Sequence, residues 1–435
     1  MGHVTTPLGE LIRRYRNQVN MTLAQLESII NVSKGSLSKI ETGETKKPDF
    51  KILEAIASVL NIPFREYVEQ YIQVEHRAES LMAILELAIT TSEHASIAPQ
   101  IAAKYLETEK RDSIELVESL YIVTASIKEP PIRLDLYNSI IDYSRSHGIM
   151  PYIAQGMYQK YMIERNDFSK LKYTYQLGRS ILSYANFLNE KERLILYYAL
   201  GVHAVSLSKY DEAIELSKYV THNDVTKSKL KADATLNICN SYFCLGKYED
   251  SKTYLDEYAK FPYDFIEDNV KVMLSGINGK TVSLDLGIQQ FEQYLLNPSE
   301  YNLTYVVVQL MDFYSIKKDS NAARQLFKYE EQMKMSLQDI YTTPEKRAKL
   351  AYYYRLKGDL LLADKDFKHA LDCYKMSTIE YAGISHFGKA FDGISLITKA
   401  IVDDNTHLEI ESIMELNQMV IQIRDEINEE GDGLI

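Results

Sequence analysis

The chain has 435 residues, 46% of them hydrophobic and 25% charged, with a formal net charge of −12. That length calls for two or more domains, or for one domain carrying an extended repeat array, and the composition is that of an ordinary globular protein. No stretch approaches 18 uninterrupted apolar residues, which argues against a membrane span, and the N-terminus lacks the basic, apolar and small-residue succession of a signal peptide. Cys239, Cys244 and Cys373 are an odd number without metal-ligand spacing, so they are expected to pack as small hydrophobes in a reducing compartment. The charge is unevenly spread. Residues 1–68 carry nine Lys and Arg against seven Asp and Glu, a net +2, which leaves −14 for the remainder. A mildly basic head on an acidic body suits a protein whose head alone meets phosphate.

In chain order, residues 8–16 (LGELIRRYR) predict a helix with three arginines. Residues 22–41 (TLAQLESIINVSKGSLSKIE) predict two short amphipathic helices separated by a polar turn at Asn31, Val32 and Ser33. Ala24, Leu26, Ile29 and Ile30 form the apolar face of the first, and Leu37 and Ile40 that of the second. Ser33 is placed to N-cap the second helix and Gly43 to end it. Asp49 caps a following helix with Ile52, Leu53, Ile56, Ala57 and Leu60 inside, and Pro63-Phe64 opens a fifth segment. A helix pair joined by about four residues is the helix-turn-helix signature, whose second helix lies in the DNA major groove.

These five short helices with the S-x-x-x-L-S-K-I-E-T-G core resemble the Cro/repressor-like (XRE) DNA-binding domain over residues 7–68. The resemblance implies that Lys34, Gly35, Ser36, Ser38 and Lys39 face the bases, joined by Thr22 at the start of the first motif helix. Arg13, Arg14, Lys46 and Lys47 lie on flanking elements, as phosphate contacts do. The glutamine usual in the family after that threonine is Leu23 here.

A linker helix is expected over 69–79. From residue 80 onward helical periodicity is nearly continuous, punctuated at Pro130-Pro131, Gly148, Pro262, Pro298 and Pro344. Lys209-Tyr210-Asp211-Glu212-Ala213 recurs as Lys247-Tyr248-Glu249-Asp250-Ser251, with looser copies at residues 167–171 and 366–370. Gly201 precedes Ala213 by twelve residues; Cys239 and Ser251, and Gly358 and Ala370, keep that interval. Small residues at such points let paired helices touch, and aromatics fill the gaps between them. The pattern resembles tetratricopeptide repeats, stretched to 42 and 38 residues between successive aromatic positions. The fold class read here is all-α: an XRE-type head followed by a right-handed tetratricopeptide-like solenoid of six or seven hairpins. The 33 tyrosines, in a chain without tryptophan, are assigned to interhelix packing.

Head and body together resemble the Rap, Rgg, NprR, PlcR and PrgX class of peptide-pheromone receptors (RRNPP) and the related phage arbitrium receptors. Length and stretched repeats are most similar to NprR-like or arbitrium-like members. The resemblance implies a cytoplasmic quorum-sensing regulator and homodimer. It further implies a short linear signalling peptide bound in the concave groove, control by that peptide of binding to a pseudo-palindromic double-stranded operator, and no cofactor. A Rap-like alternative is a module that sequesters a response regulator.

The first helix of each hairpin lines such a groove, and amides there suit a peptide backbone because they both donate and accept. The inward positions read from the repeat register are Tyr198 and Val202; Asp233, Leu236, Asn237, Asn240 and Phe243; Val308, Gln309 and Asp312; and Arg355 and Asp359. Asn237 and Asn240 are expected to hold the backbone, Tyr198 and Phe243 apolar side chains, and Arg355 a carboxylate. The expected dimer surface spans residues 377–427, with Ile394, Leu396, Ile397, Ile401, Ile413, Leu416, Val420 and Ile423. Nothing supports an enzyme. The scattered His147, His203, His222, His369, His386 and His407 form no metal or catalytic pattern, and Gly279-Lys280-Thr281 lacks the upstream glycine of a phosphate loop, since residue 274 is Leu274.

Overall fold

The computed structural model describes residues 7–109, 111–338, 342–403 and 410–432, and among them there is no strand. The chain forms two compact units, Met1–Ile163 and Glu164–Ile435.

The first unit opens with α1 (Pro7–Gln18), α2 (Leu23–Ile30), α3 (Lys34–Glu41), α4 (Phe50–Leu60) and α5 (Phe64–Tyr71). It continues with α6 (Ala78–Ala88), α7 (Ser92–Ala95), α8 (Ala98–Leu106), α9 (Ser113–Ser126), α10 (Pro130–His147) and α11 (Met150–Glu164). The expected linker helix over 69–79 is not one helix: α5 stops at Tyr71 and α6 begins at Ala78. The intervening turn wraps a buried carboxylate, Glu75, which accepts from the backbone N–H groups of His76 and Arg77, both at 2.9 Å. One apolar core runs from Leu8, Leu26, Leu37 and Leu53 through Tyr71 and Leu81 to Leu120 and Ile140, so packing does not break at residue 68. Ala24 and Ile29 were expected to face inward, but both are exposed; Leu26 is the buried residue of α2. Eight residues offer little more than two turns, and one leucine with flanking Leu23 and Ile30 fills the space below them.

The second unit is a run of hairpins. They are α12 (Leu171–Ile181), then α13 (Glu190–Ser206) with α14 (Tyr210–Asn223), α15 (Lys229–Cys244) with α16 (Tyr248–Tyr258), and α17 (Phe265–Thr281) with α18 (Leu284–Tyr294). Next come α19 (Leu303–Lys317) with the short α20 (Ser320–Gln325) and α21 (Glu330–Ser336), α22 (Pro344–Ala363) with α23 (Phe367–Ala382), and α24 (Phe387–Asp403) and α25 (Ile410–Asp432). Partner helices cross at the small residues. A Cβ on Gly201 would lie 2.7 Å from the Ser217 hydroxyl, and one on Gly358 would lie 2.6 Å from the Tyr374 ring. In the α15–α16 hairpin the Ser251 hydroxyl donates to the Cys239 carbonyl at 2.9 Å. A further crossing pairs Gly279 with Gly287, eight residues apart, where the Phe313 ring closes over both.

The array returns on itself. Leu171 is buried with Ala351, Tyr381, Ile384, Ala390 and Ile423. The Ser385 hydroxyl donates to the Ser169 carbonyl at 2.8 Å, and His386 Nε2–H donates to the Ser206 carbonyl at 2.5 Å. This seam uses part of the surface expected for dimerisation, since Ile423 is buried in it and Ile394 packs against it. Ile397 is buried, with Leu396, Ile401 and Leu416 packed beside it, in a separate core with Ala370, Tyr374 and Ala400. Val420 is half-buried, and the side chain of Ile413 lies outside the described residues. A terminal hairpin must bury its apolar face somewhere, and here it meets the array's own beginning.

The crossings predict opposite outcomes for two glycines. At Gly279 an added Cβ would sit 2.3 Å from the fully buried Phe313 ring, so Gly279→Ala should destabilise this unit by about 1–3 kcal/mol through overpacking, less about 1 kcal/mol regained in helix propensity. Gly35→Ala meets nothing within 4 Å and should leave stability unchanged or raised. Urea unfolding of the two variants beside the wild type checks the sign of each.

Candidate functional site

In the head, α2 starts at a capping box. Thr22 accepts from the Gln25 backbone N–H at 3.2 Å, and its own N–H donates to Gln25 Oε1 at 2.8 Å. Asn31 turns the chain in the left-handed region with φ 56°, and Ser33 caps α3 by accepting from the Ser36 N–H at 3.2 Å. Leu37 and Ile40 anchor α3 from below, which leaves Lys34, Gly35, Ser36 and Lys39 exposed and Ser38 half-buried on its outer side. The sequence assigned these five residues to the DNA-facing surface. Thr22 is exposed too, but its hydroxyl serves the cap.

Arg16 sets the pose of α3 and was not singled out from sequence. Its guanidinium grips Glu41 with two bonds of 2.6 and 2.9 Å and donates to the Met21 carbonyl at 2.7 Å. Both side chains are nearly buried, a geometry in which a bidentate pair orients strongly. Gly9 lets α1 reach the end of α3, since a Cβ there would lie 2.6 Å from the Ile40 carbonyl oxygen. Arg13 and Lys46 are exposed, and Arg14 forms an exposed 3.1 Å pair with Glu66 that phosphate could displace cheaply.

Lys47 departs from its expected part as a phosphate contact. It is bonded to the buried Glu75, which Arg77 also grips at 3.1 Å and Tyr71 at 3.3 Å. Burial opposes the Glu75 charge, but the hydrogen bonds from Arg77 and Lys47 outweigh it and hold the carboxyl down at about 2. Lys47 is therefore a tie between the helix-turn-helix and the turn after α5.

In the second unit the first helices of successive hairpins face one interior channel, which widens into two chambers. One, of about 280 Å³, is lined by Leu236, Asn240 and Phe243 from α15, Met273 and Lys280 from α17, and Tyr305, Gln309 and Asp312 from α19. It gathers five residues named from sequence: Leu236, Asn240, Phe243, Gln309 and Asp312. The Gln309 amide oxygen is buried and without a hydrogen-bond partner, whereas Asp312 accepts from the Tyr352 hydroxyl at 2.7 Å. The other chamber, of about 400 Å³, holds Arg355 together with Lys349, His386 and Lys389; Cys244, Glu345 and Lys349 border both.

The remaining expectations sort differently. Asn237 does not face the channel: it is buried between helices and its amide donates to Ser217 at 2.8 Å, beside the Gly201 crossing. Asp359 lies outside both chambers and accepts from the Tyr374 hydroxyl at 2.8 Å. Tyr198 and Val202 are half-buried on α13 and border neither chamber; burial, and then Asp233, push the Tyr198 hydroxyl pKa well up. Glu345 and Lys349 on α22 and Lys389 on α24 were missed because those positions were not placed in the repeat register, and Tyr305 was missed on α19, where only Val308, Gln309 and Asp312 were read as inward.

Residues 12–67 match the helix-turn-helix family model. No curated protein matches the chain. Among solved structures it is similar to a signal-transduction ATPase with a tetratricopeptide-repeat sensor from Pyrococcus horikoshii, with 12% identity and TM-score 0.44 over 96% of this chain. It spans 66% of that chain, just under two thirds of its length. It is similar to phAimR, with 15% identity and TM-score 0.38 over 95% of this chain and 99% of that one. It is also similar to Bacillus thuringiensis PlcR, solved with the peptide PapR7 and DNA, with 14% identity and TM-score 0.25 over 89% and 99%.

The Glu75 node fixes a pH response. A carboxyl lowered on folding stabilises the fold above its ordinary value of 4.5, and that contribution is lost as pH falls towards about 2. The acid-unfolding transition of the first unit should therefore flatten in Glu75→Gln, which should also be the less stable protein at pH 7. Tyrosine fluorescence against pH checks both. The chain thus carries a helix-turn-helix DNA-binding domain over residues 12–67, followed by tetratricopeptide-like helical repeats.

Proposed function

We propose that this chain is a cytoplasmic transcription regulator of the quorum-sensing type, whose head binds double-stranded DNA under control of a short linear peptide held in the interior channel. The observation that carries the reading is the smaller chamber. Its wall of Leu236, Phe243, Met273 and Tyr305 is apolar, while Asn240 and the unpartnered Gln309 oxygen offer hydrogen bonds to a peptide backbone. A buried acceptor left unpaired costs about 1–3 kcal/mol, which a ligand N–H would recover. On this reading a homodimer presents two heads to a pseudo-palindromic operator, because one α3 reads only a half-site. The peptide controls DNA binding to the extent that it prefers one state of the repeat unit.

Two substitutions on the channel helix α15 separate its faces. Asn240→Ala should weaken the peptide encoded by a neighbouring short reading frame about ten- to a hundredfold, with the melting temperature nearly unchanged. Asn237→Ala should instead lower the melting temperature. Calorimetry and thermal unfolding distinguish the two, and wild-type affinity in Asn240→Ala would remove the channel from the reading.

In the head, Lys39→Ala should lower operator affinity by about 1–3 kcal/mol while changing random-sequence affinity much less. Lys46→Ala should weaken both alike and reduce the salt dependence by about one counterion. Titration of labelled DNA at several salt concentrations resolves the two patterns. Tight binding of a response regulator with no DNA binding at any salt would favour the Rap-like alternative.

A further inference from the structure

The larger chamber has an electrostatic imbalance. Lys349 and Arg355 from α22 and Lys389 from α24 all line it. Among the described residues none of the three forms an ion pair with a carboxylate. Their neighbours on α22 behave differently: Arg347 pairs with Glu380 at 3.6 Å, and Lys357 pairs with Glu330. The unpaired cations lean on rings instead, Arg355 at 5.8 Å from the Tyr352 centroid and Lys389 at 5.2 Å from that of Tyr381.

The carboxylates facing this cluster, Glu345 and Asp392, offset it only in part. Burial raises the Glu345 pKa, and Lys349 only partly offsets that, so its negative charge is discouraged where it would help most. Asp392 is exposed, and the imidazole of His386 is turned to the Ser206 carbonyl. Burial and then the charges of Lys349 and Arg355 hold the Lys389 pKa below its ordinary value. Like charges crowded in a half-enclosed space repel, and an anion entering it removes that repulsion while gaining charge-assisted hydrogen bonds.

We propose that this chamber is an oxyanion site, in which Lys349, Arg355 and Lys389 together take a carboxylate or phosphate group of the ligand. The inference rests on the channel being a ligand site, and it adds the ligand's charge and direction. The anionic end lies among the three cations, and the apolar part passes Cys244, Glu345 and Lys349 into the chamber of Phe243, Met273 and Tyr305. A C-terminal carboxylate satisfies this with no acidic side chain in the peptide.

The test uses the full-length protein and three probes: inorganic phosphate, a pool of N-acetylated apolar hexapeptides with free C-terminal carboxylates, and the same pool C-terminally amidated. The readout is the ligand-dependent shift of the melting temperature. The free-carboxylate pool should bind at least about tenfold more tightly than the amidated pool, and the difference should vanish in Arg355→Gln/Lys389→Gln. Phosphate binding that this double variant abolishes, with neither pool bound, would keep the oxyanion site and overturn the peptide reading. Equal binding of the two pools would keep the peptide reading and overturn the oxyanion site, and no binding of any probe would overturn both. A separate readout needs no ligand. Lys389→Met should leave the melting temperature unchanged or raise it, because it relieves repulsion, whereas a clear drop would show a structural lysine and overturn the assignment.

Discussion

The second unit depends on helices crossing at contact distance. Gly201 against Ser217, Cys239 against Ser251, Gly279 against Gly287 and Gly358 against Tyr374 each leave no room for a larger residue. Such contact fixes which face of each first helix turns towards its partner, and the opposite face is thereby committed to the interior. Asn237 and Asn240 show how sharp that division is. Three residues apart on α15, one is locked to Ser217 at a crossing and the other opens on the channel. A helix advances 100° per residue, so a spacing of three turns the side chain by 60° from its starting direction, enough at this edge to change surroundings.

In the head the corresponding constraint is ionic. Arg16 and Glu41 join α1 to the end of α3, and Lys47 and Glu75 join the loop after α3 to the turn after α5. Buried carboxylates of this kind are weak sources of net stability but strict about geometry, because losing one partner strands the other. They give the small α3 a fixed pose that eight residues with two core side chains would hold poorly. They also make the head continuous with the helices that follow it inside the first unit, where one core runs from Leu8 to Ile149.

Much of this was legible in the sequence because it is local. Ser33 and Asp49 were identifiable as caps, and both accept the expected backbone N–H groups. The twelve-residue interval between small residues marked the contact of Cys239 with Ser251, whereas Gly201 and Gly358 meet Ser217 and Tyr374, one helical turn beyond the small residues at that interval. The Gly279–Gly287 crossing escaped since its interval is eight, set by a tighter turn. What stayed hidden depends on residues far apart in the chain. The bond from Lys47 to Glu75 spans 28 residues and the contact of His386 with Ser206 spans 180, and no periodicity reports either. The apolar stripe of α24 and α25 was readable as a buried face. Whether it would meet a second copy or the array's own first helices was not, because both partners offer the same chemistry.

The return of the array on itself also accounts for where the cations stand. Outside residues 1–68 the chain carries −14, so three positive side chains without an ion-pair partner among the described residues run against the charge of their surroundings. The seam brings them together: α22 supplies Lys349 and Arg355, and α24, held down by the bonds of Ser385 and His386 to residues 169 and 206, supplies Lys389. Their proximity there costs repulsion, which an anion between them would lower. On the proposed reading, charge, cavity and seam act together, and an anion bound among the three cations would favour this arrangement of α22 and α24.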